Sequence, residues 1–243
     1  TGKTNPEMLT MKWHHGHFNS IINGISRIGF MKGGEKAHWS DVDMADHFLN
    51  KVKSYITQNK DKPFFLFYSM QQPHVPRTPH PRFKGKSGMG PRGDVIIEAD
   101  WCIGELFKTL DNEKLLENTL IIISSDNGPV LNDGYYDDAV EKIGNHTPSG
   151  IYRGGKYSLF EAGTRVPFIS FWKGVTKPKT SDKLISQIDL FNSLSSIIES
   201  KIKTSDSYDL SELLLKGDGK EREELILEAS GKTALKYLSL IHI

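Results

Sequence analysis

The chain has 243 residues, of which 37% are hydrophobic and 25% charged, and a formal net charge of +1. This composition is that of a globular protein with a real apolar core, and the near-neutral charge argues against a nucleic-acid-binding protein, which carries a strong basic excess. No apolar run reaches the about 18 residues that would span a membrane, and the single cysteine, Cys102, excludes an intrachain disulfide.

The first half of the chain shows helical and strand-like apolar patterns in alternation. Residues 40–60 carry apolar side chains at helical spacing, with Ser40 as the expected N-cap, and residues 94–110 repeat the helical pattern. Residues 63–69 and 119–124 are short continuous apolar runs, which are typical of strands buried on both faces. The sequence therefore predicts helix, strand, helix and strand in this order.

The second half continues the alternation after a long polar loop. Its patterns predict a strand, a helix, a polar linker and two strands of a small, incomplete C-terminal subdomain, expected at residues 166–172, 186–199, 201–220, 224–229 and 234–238. Helices that alternate with continuous apolar strands indicate an α/β fold with a mainly parallel sheet. Ligand sites in such sheets form beyond the carboxyl ends of the strands.

A cluster of basic residues occupies residues 11–17. Lys12 and His14 are two positions apart, so in an extended segment their side chains point to the same side. The three histidines of the cluster, His14, His15 and His17, could instead bind zinc, copper or nickel, because imidazole suits these metals. A histidine-rich surface loop is the third interpretation.

Polar residues also follow both predicted strands of the first half. His74 comes after the first strand and stands between Pro73 and Pro76, which restrict the loop and the direction of the imidazole. Asp126 and Asn127 come after the second strand and offer hard oxygen ligands, which suit Ca²⁺ or Mg²⁺. A calcium ion takes about 6–8 oxygen ligands, so most of them would have to come from elsewhere.

A glycine-rich segment surrounds Lys156. Gly154 and Gly155 allow close approach of the backbone, and Lys156 can meet an oxyanion as a point charge, although a turn with a solvated lysine fits as well. Together the four clusters supply a cation site, histidines and lysines. This set suits hydrolysis of an anionic ester, because cations neutralise the transferring group while histidine moves protons.

The order of these motifs resembles the type I sulfatases of the alkaline-phosphatase superfamily, in the arylsulfatase A-like branch. The most specific segments are Lys-Trp-His at 12–14, Pro-His-Val-Pro at 73–76, Ser-Asp-Asn-Gly at 125–128 and the glycine-rich segment at 153–167. The resemblance implies an alkaline-phosphatase-like α/β fold, a mainly parallel sheet flanked by helices. It also implies hydrolysis of sulfate esters by a formylglycine nucleophile.

The resemblance implies a catalytic role for each matching residue. Lys12 and His14 would hold and deprotonate the formylglycine hydrate. His74 and Lys156 would bind sulfate oxygens and assist the leaving group.

The resemblance further implies a metal, a partner and a location. Asp126 and Asn127 would bind Ca²⁺, with Mg²⁺ as the alternative. The partner would be a sulfated sugar or glycan, with no nucleic acid and no membrane span, and the location would be periplasmic or secreted.

The nucleophile motif of the family, Cys/Ser-x-Pro-x-Arg, is not found in this sequence, because none of the eleven prolines has Cys or Ser two residues before it. Cys102 lies inside a predicted helix and is interpreted as a small buried hydrophobe. Met11 stands where the family usually has Gly.

We expect the nucleophile and a further Asp pair to precede Thr1. Residues 1–200 would then be a partial catalytic domain, and residues 221–243 the start of the subdomain. We expect the chain as given to be inactive.

Specificity is expected to come from the polar loop between the metal and Lys156 motifs. The loop carries three side chains that could hydrogen-bond to a sugar or stack on it, Asp137, Asp138 and His146. The hypothesis is a substrate with galactose or N-acetylgalactosamine 6-sulfate. The alternative is that these residues are solvated polar residues of a surface loop without a binding role. Two other functions stay open at this point, a phosphate or phosphonate ester hydrolase of the same superfamily and a non-catalytic homologue that binds sulfated glycans.

Overall fold

The computed structural model describes residues 1–229, 231–237 and 240–242. The chain divides into two compact units, the first made of Thr1–Leu115 and Val130–Thr147 and the second of Leu116–Pro129 and Pro148–Ile243. The domain boundaries predicted at residues 200 and 220 do not correspond to this division and stay a prediction. Leu238, in the last predicted strand, lies outside the described residues.

Helices and short strands alternate along both units. The helices are α1 Met44–Asn59, α2 Gly90–Asn112, α3 Glu161–Thr164, α4 Leu190–Ile197 and α5 Ser211–Lys216. The strands are β1 Ile21–Ile22, β2 Ile25–Ser26, β3 Ile121–Ser124, β4 Phe168–Phe171, β5 Glu224–Ala229, β6 Lys232–Tyr237 and β7 Leu240–His242. Within the described part of the chain, no helix is both long and apolar enough to cross a membrane.

The named strands form three small sheets and pair with one another only in antiparallel fashion, while a single parallel bridge joins Met11 to Ile25. β1 pairs with β2, β3 pairs with β4, and β5, β6 and β7 form a three-stranded sheet. Helices and strands both occur, as the predicted α/β class requires, whereas a mainly parallel pairing is not found among the described strands. The run at 63–69, predicted as a strand, has no regular secondary structure and belongs to no described sheet.

The two long helices of the first unit pack on each other around a common core. Ala45 and Leu49 of α1 contact Cys102 of α2, and all three side chains are buried. Helix α1 begins at Met44 with Asp43 as its N-cap, rather than at the predicted Ser40.

The shift at the start of α1 has a physical cause in Asp41. Both carboxylate oxygens of Asp41 accept hydrogen bonds from the guanidinium of Arg27, at 2.8 and 2.6 Å, and one accepts a bond from the Trp39 indole. These bonds hold Asp41 outside the first turn of the helix.

The start of α2 also fixes the proline-rich loop before it. Asp94 accepts hydrogen bonds from the backbone of Gly85 at 2.7 Å and from the backbone and hydroxyl of Ser87 at 2.9 and 2.7 Å. Burial raises the pKa of Asp94, but these hydrogen bonds outweigh burial and hold the pKa below its ordinary value. Helix α2 starts at Gly90, four residues before its predicted start.

A buried ion pair organises the second unit. Asp189 is 0% exposed, and its carboxylate accepts hydrogen bonds from Nε of Arg222 at 2.7 and 2.9 Å and from the backbone of Tyr208 at 2.8 Å. Leu213 and Leu214 of α5 are also buried. Four residues of the range 201–220, which is predicted as a linker, are therefore buried in this unit: Ser207, Leu210, Leu213 and Leu214.

Glycines allow two loops of the second unit to touch. The backbone N–H of Gly128 donates to the carbonyl of Gly163 at 3.0 Å. A Cβ atom on Gly128 would lie 1.7 Å from the carbonyl oxygen of Ala162, and one on Gly163 would lie 2.1 Å from the carbonyl oxygen of Ser158. Only glycine fits at both positions, because the obstructing atoms belong to the backbone.

The burial of Cys102 predicts a chemically silent thiol. Cys102 is 0% exposed, and burial raises the pKa of its thiol to about 11, so very little thiolate forms at pH 8. We expect no reaction of native protein with an aromatic disulfide reagent and one reactive thiol per chain in guanidinium. An Ile151→Cys variant, at a position that is 94% exposed, is the control and should react in the native state. Rapid labelling of native Cys102 would contradict the packing of α1 on α2.

Gly128 lies against the carbonyl oxygen of Ala162, so adding one methyl group at residue 128 should destabilise the folded protein. We expect Gly128→Ala to destabilise the protein by about 1–3 kcal/mol, the usual cost of overpacking. Gly104→Ala is the matched control, because Gly104 lies in α2 with nothing within 4 Å of an added Cβ. That variant should be neutral or more stable by up to about 1 kcal/mol. Equal thermal unfolding midpoints for both variants would refute the close approach.

Candidate active site

The predicted site residues are distributed over both units. The first unit holds six of them, Lys12, His14, His74, Asp137, Asp138 and His146, and the second unit holds Asp126, Asn127 and Lys156. Asp137 is the buried member of this set, whereas the others are exposed or half-buried.

Lys12 and His14 lie together on the ring of Tyr136. The backbone N–H of His14 donates to the carbonyl of Gly134 at 2.7 Å, and that of Tyr136 donates to the carbonyl of Lys12 at 3.0 Å. The Lys12 ammonium is 5.4 Å from the Tyr136 ring centroid, and the His14 ring is 4.9 Å from it. The two side chains therefore share one side of an extended segment, as their spacing predicts.

The neighbouring histidines have different environments. Nδ1 of His14 and Nδ1 of His15 are 2.5 Å apart, whereas His17 is buried and its ring lies 4.7 Å from that of Tyr135. A Cβ atom on Gly134, which has a φ of +101°, would lie 2.1 Å from the His17 ring. His17 therefore packs beneath the loop that contains Gly134 and Tyr135. Among the described residues there is no group of three or more His, Cys, Asp or Glu side chains that could hold a metal ion, so nothing there supports a zinc site.

His74 is exposed and oriented by two neighbours. Its Nδ1 is 2.7 Å from the carbonyl oxygen of Val75, which makes Nδ1 the protonated nitrogen of the neutral ring. Its Nε2 is 3.9 Å from Oδ2 of Asp133, whose side chain is only 10% exposed. Both X–Pro bonds that flank His74, Gln72–Pro73 and Val75–Pro76, are cis.

Asp133 was missed by the sequence reasoning. It lies in an Asn-Asp-Gly turn, and turn chemistry alone explains such a tripeptide. Only the position of His74 shows that this carboxylate faces an imidazole.

Arg77 connects the His74 loop to the loop at residues 130–138. Its guanidinium donates to the carbonyls of Pro73, Val130 and Leu131 at 3.0–3.1 Å and to Oδ2 of Asp137 at 2.9 Å. Arg77 is 3% exposed, and the Asp137 side chain is 1% exposed. The carboxylate of Asp137 therefore faces Arg77 inside the unit. Asp138 and His146, in contrast, are exposed, and Asp138 forms an ion pair with Lys142 at 2.6 Å.

The candidate metal ligands follow β3 in the second unit. Asp126 is exposed, and Asn127 is half-buried, with its amide nitrogen bonded to the carbonyl of Gly128 at 2.9 Å. That bond turns the amide nitrogen to the protein and leaves the amide oxygen as the ligand atom. The donor chemistry fits a hard cation, but these residues supply only part of the about 6–8 oxygens that Ca²⁺ takes.

Lys156 is held next to the same loop. Its backbone N–H donates to the carbonyl of Pro129 at 3.0 Å, and a Cβ atom on Gly155 would lie 2.6 Å from that carbonyl oxygen. The second unit therefore joins Lys156 to the loop that carries Asp126 and Asn127 through a backbone contact at Pro129, which depends on glycine.

Comparison with known proteins gives a consistent result. The family model described as Sulfatase matches residues 6–200. The chain is 50% identical over 236 residues to an N-acetylgalactosamine-6-O-sulfatase of Bacteroides thetaiotaomicron, covering 96% of the chain and 46% of the relative. It is 36% identical over 165 residues to human arylsulfatase A, covering 67% of the chain and 31% of the relative. The chain thus spans less than half the length of these curated relatives.

Solved structures agree in fold. A structure described under the metabolism of multiple glycosaminoglycans by Bacteroides thetaiotaomicron superposes with a TM-score of 0.94 at 49% identity, covering 98% of this chain and 50% of the other. A sulfatase from a Pseudoalteromonas species gives a TM-score of 0.69 at 28% identity, covering 88% and 43%. These neighbours confirm the alkaline-phosphatase-like α/β class. Because the family model covers well over half of the residues, the chain belongs to the sulfatase family.

Proposed function

We propose that the protein hydrolyses sulfate esters of a carbohydrate, with a galactose or N-acetylgalactosamine 6-sulfate as substrate. The observation that carries this proposal is the 50% identity to an N-acetylgalactosamine-6-O-sulfatase over 96% of the chain. The exposed imidazole of His74 and the half-buried Lys156 support it, since both side chains stand on loops with fixed backbones.

Each residue of the proposed site has a chemical task. Lys12 and His14 would act on the nucleophile, as a charge and as a proton acceptor. His74 would donate a hydrogen bond from Nε2 when protonated, and Lys156 would contribute a positive charge to a sulfate oxygen. The formylglycine that the resemblance implies would be formed on a residue outside these 243.

Asp126 and Asn127 would hold Ca²⁺, with Mg²⁺ as the alternative, together with oxygens from other residues. When bound, the ion would neutralise charge on the sulfate group. We also propose a periplasmic or secreted location, which rests on the resemblance to glycan-desulfating enzymes.

The sugar is proposed to contact Asp138 and His146, which are exposed. Asp137 was predicted to join them. Its buried contact with Arg77 instead favours a role in holding the loop at residues 130–138 in place.

Catalysis is tested in the full-length protein by sulfate release from N-acetylgalactosamine 6-sulfate. We expect His74→Ala and Lys156→Ala each to lower kcat/KM by about 10²–10³-fold, because each removes a group that meets transition-state charge. Lys177→Ala, at an exposed position, is the control and should retain activity. Turnover of a phosphate ester alone, or binding of the sugar without turnover, would refute the proposal.

Substitutions can distinguish the proposed sugar-binding role of Asp138 from the structural role of Asp137. Asp138→Asn and His146→Ala should lower kcat/KM for the sugar sulfate by about tenfold, the value of one lost hydrogen bond, and leave 4-nitrophenyl sulfate unaffected. Asp137→Asn should lower the free energy of unfolding by about 3–5 kcal/mol, because Arg77 stays buried without its carboxylate. If Asp137→Asn were as stable as the parent protein and changed only sugar preference, the assignment would be reversed.

A further inference from the structure

Tyr157 has a backbone conformation that its residue type rarely adopts. Its φ is +74°, in the left-handed region, where the Cβ atom of an L-residue crowds the neighbouring carbonyl oxygen. Glycine has no Cβ and avoids this crowding, and asparagine and aspartate tolerate the region better than other residues do. A bulky aromatic residue is a real outlier there, so the folded protein carries a conformational cost at this position.

Other residues with a positive φ have a local reason for it. Among the described residues that are not glycine, Asn23 stands in the turn between β1 and β2, and Asp138 is an aspartate, and both residue types tolerate this region. Lys114 and Glu199 directly follow the C-caps of α2 and α4, where a left-handed residue commonly closes a helix. Tyr157 fits neither explanation, because it is aromatic and does not follow a helix.

The turn that contains Tyr157 is held in place by its neighbours. The backbone N–H of Ser158 donates to the carbonyl of Gly155 at 3.1 Å, and the hydroxyl of Ser158 donates to the same carbonyl at 2.8 Å. The backbone N–H of Lys156 donates to the carbonyl of Pro129 at 3.0 Å. In a four-residue turn, a positive φ at the third position normally requires glycine or asparagine. These bonds therefore impose the left-handed conformation on the residue at position 157.

The side chain of Tyr157 is exposed beside the candidate catalytic lysine. The residue is 64% exposed, and its ring centroid lies 5.2 Å from Nζ of Lys156. A single exposed aromatic ring needs no explanation by itself. Here, however, the chain places the ring at a position where glycine would fit the backbone better. Strained residues of this kind cluster at ligand sites, where the surrounding structure maintains them because the side chain takes part in binding.

We propose that Tyr157 is a substrate-binding residue whose ring stacks on the sugar that carries the sulfate. A tyrosine ring offers a flat apolar face with a polar hydroxyl at its edge. The C–H groups at C3, C4 and C5 of a galactose ring point to one side and form an apolar surface that fits such a face. The inference rests on the proposed function, because it takes Lys156 as the residue that meets the sulfate.

Steady-state kinetics of the full-length protein with N-acetylgalactosamine 6-sulfate test the contact. We expect Tyr157→Gly and Tyr157→Ala to raise KM about tenfold and to leave kcat within about twofold, because stacking contributes equally to ground-state and transition-state binding. Tyr157→Phe keeps the ring and should keep the parent KM. An unchanged KM in Tyr157→Gly would overturn the proposal. A lower kcat at unchanged KM would overturn it as well, because the ring would then act only through Lys156.

Thermal unfolding measures the strain independently of the reaction. Tyr157→Gly should have a Tm about 2–4 °C above that of Tyr157→Ala, because only glycine relieves the left-handed conformation. Glu199 is the matched control, since it is exposed, lies in the same unit and has a φ of +56°. Glu199→Gly and Glu199→Ala should show the same difference in Tm, both with the parent KM. Equal Tm values for the two Tyr157 variants would refute the strained conformation on which the proposal depends.

Binding of the unsulfated sugar distinguishes this inference from the proposed function. In an NMR titration with N-acetylgalactosamine, Tyr157→Gly should bind about tenfold more weakly than the parent protein. Equal binding by variant and parent, or binding by neither, would overturn the contact whether or not sulfate is released. Weaker binding by the variant, in a protein that releases no sulfate from any sugar, would support the contact and refute the proposed function.

Discussion

The buried guanidinium of Arg77 is the interaction on which the site of the first unit depends. An arginine that is 3% exposed has lost its hydration, so each donor must find an acceptor within the protein. Arg77 meets this requirement with three carbonyls and the carboxylate of Asp137. Its partners come from the His74 loop and from the loop at residues 130–138, so satisfying one charge fixes two loops against each other.

Other site residues of the first unit are placed through the same loop. Gly134 accepts a hydrogen bond from the backbone of His14, the Tyr136 ring lies near both Lys12 and His14, and Asp133 stands beside His74. The second unit achieves a comparable result by a different means. There, glycines at residues 128, 155 and 163 allow backbones to touch, which brings the Asp126–Asn127 turn next to Lys156. The candidate residues of the first unit are therefore positioned by a buried charge, and those of the second unit by close backbone contacts at glycines.

Several positions in the segments that resemble the sulfatase family serve the backbone. The glycines permit close approach of two loops, and Arg77, which directly follows the Pro-His-Val-Pro segment, joins the His74 loop to the loop at residues 130–138.

The sequence by itself determined the features that depend on local patterns. Helices α1 and α2 and strands β3, β4 and β5 could be predicted from periodicity, because near neighbours in the chain produce these signals, whereas the site residues stay a prediction from motifs. The observed helix ends differ from the predicted ones where a side chain bonds to a distant partner, as Asp41 does with Arg27. It also placed α5 and buried leucines in a stretch whose composition resembles a linker.

Only the tertiary structure decided which polar residues meet. Asp137 and Asp138 are equivalent in the sequence, yet one is buried against Arg77, 60 residues away, and the other is exposed. Asp133 reads as part of a turn until His74 is placed beside it. The antiparallel pairing of β3 with β4 likewise joins residues that are far apart in the chain. These contacts could not be predicted because burial and pairing depend on the summed packing of distant segments, which no local pattern of residues records.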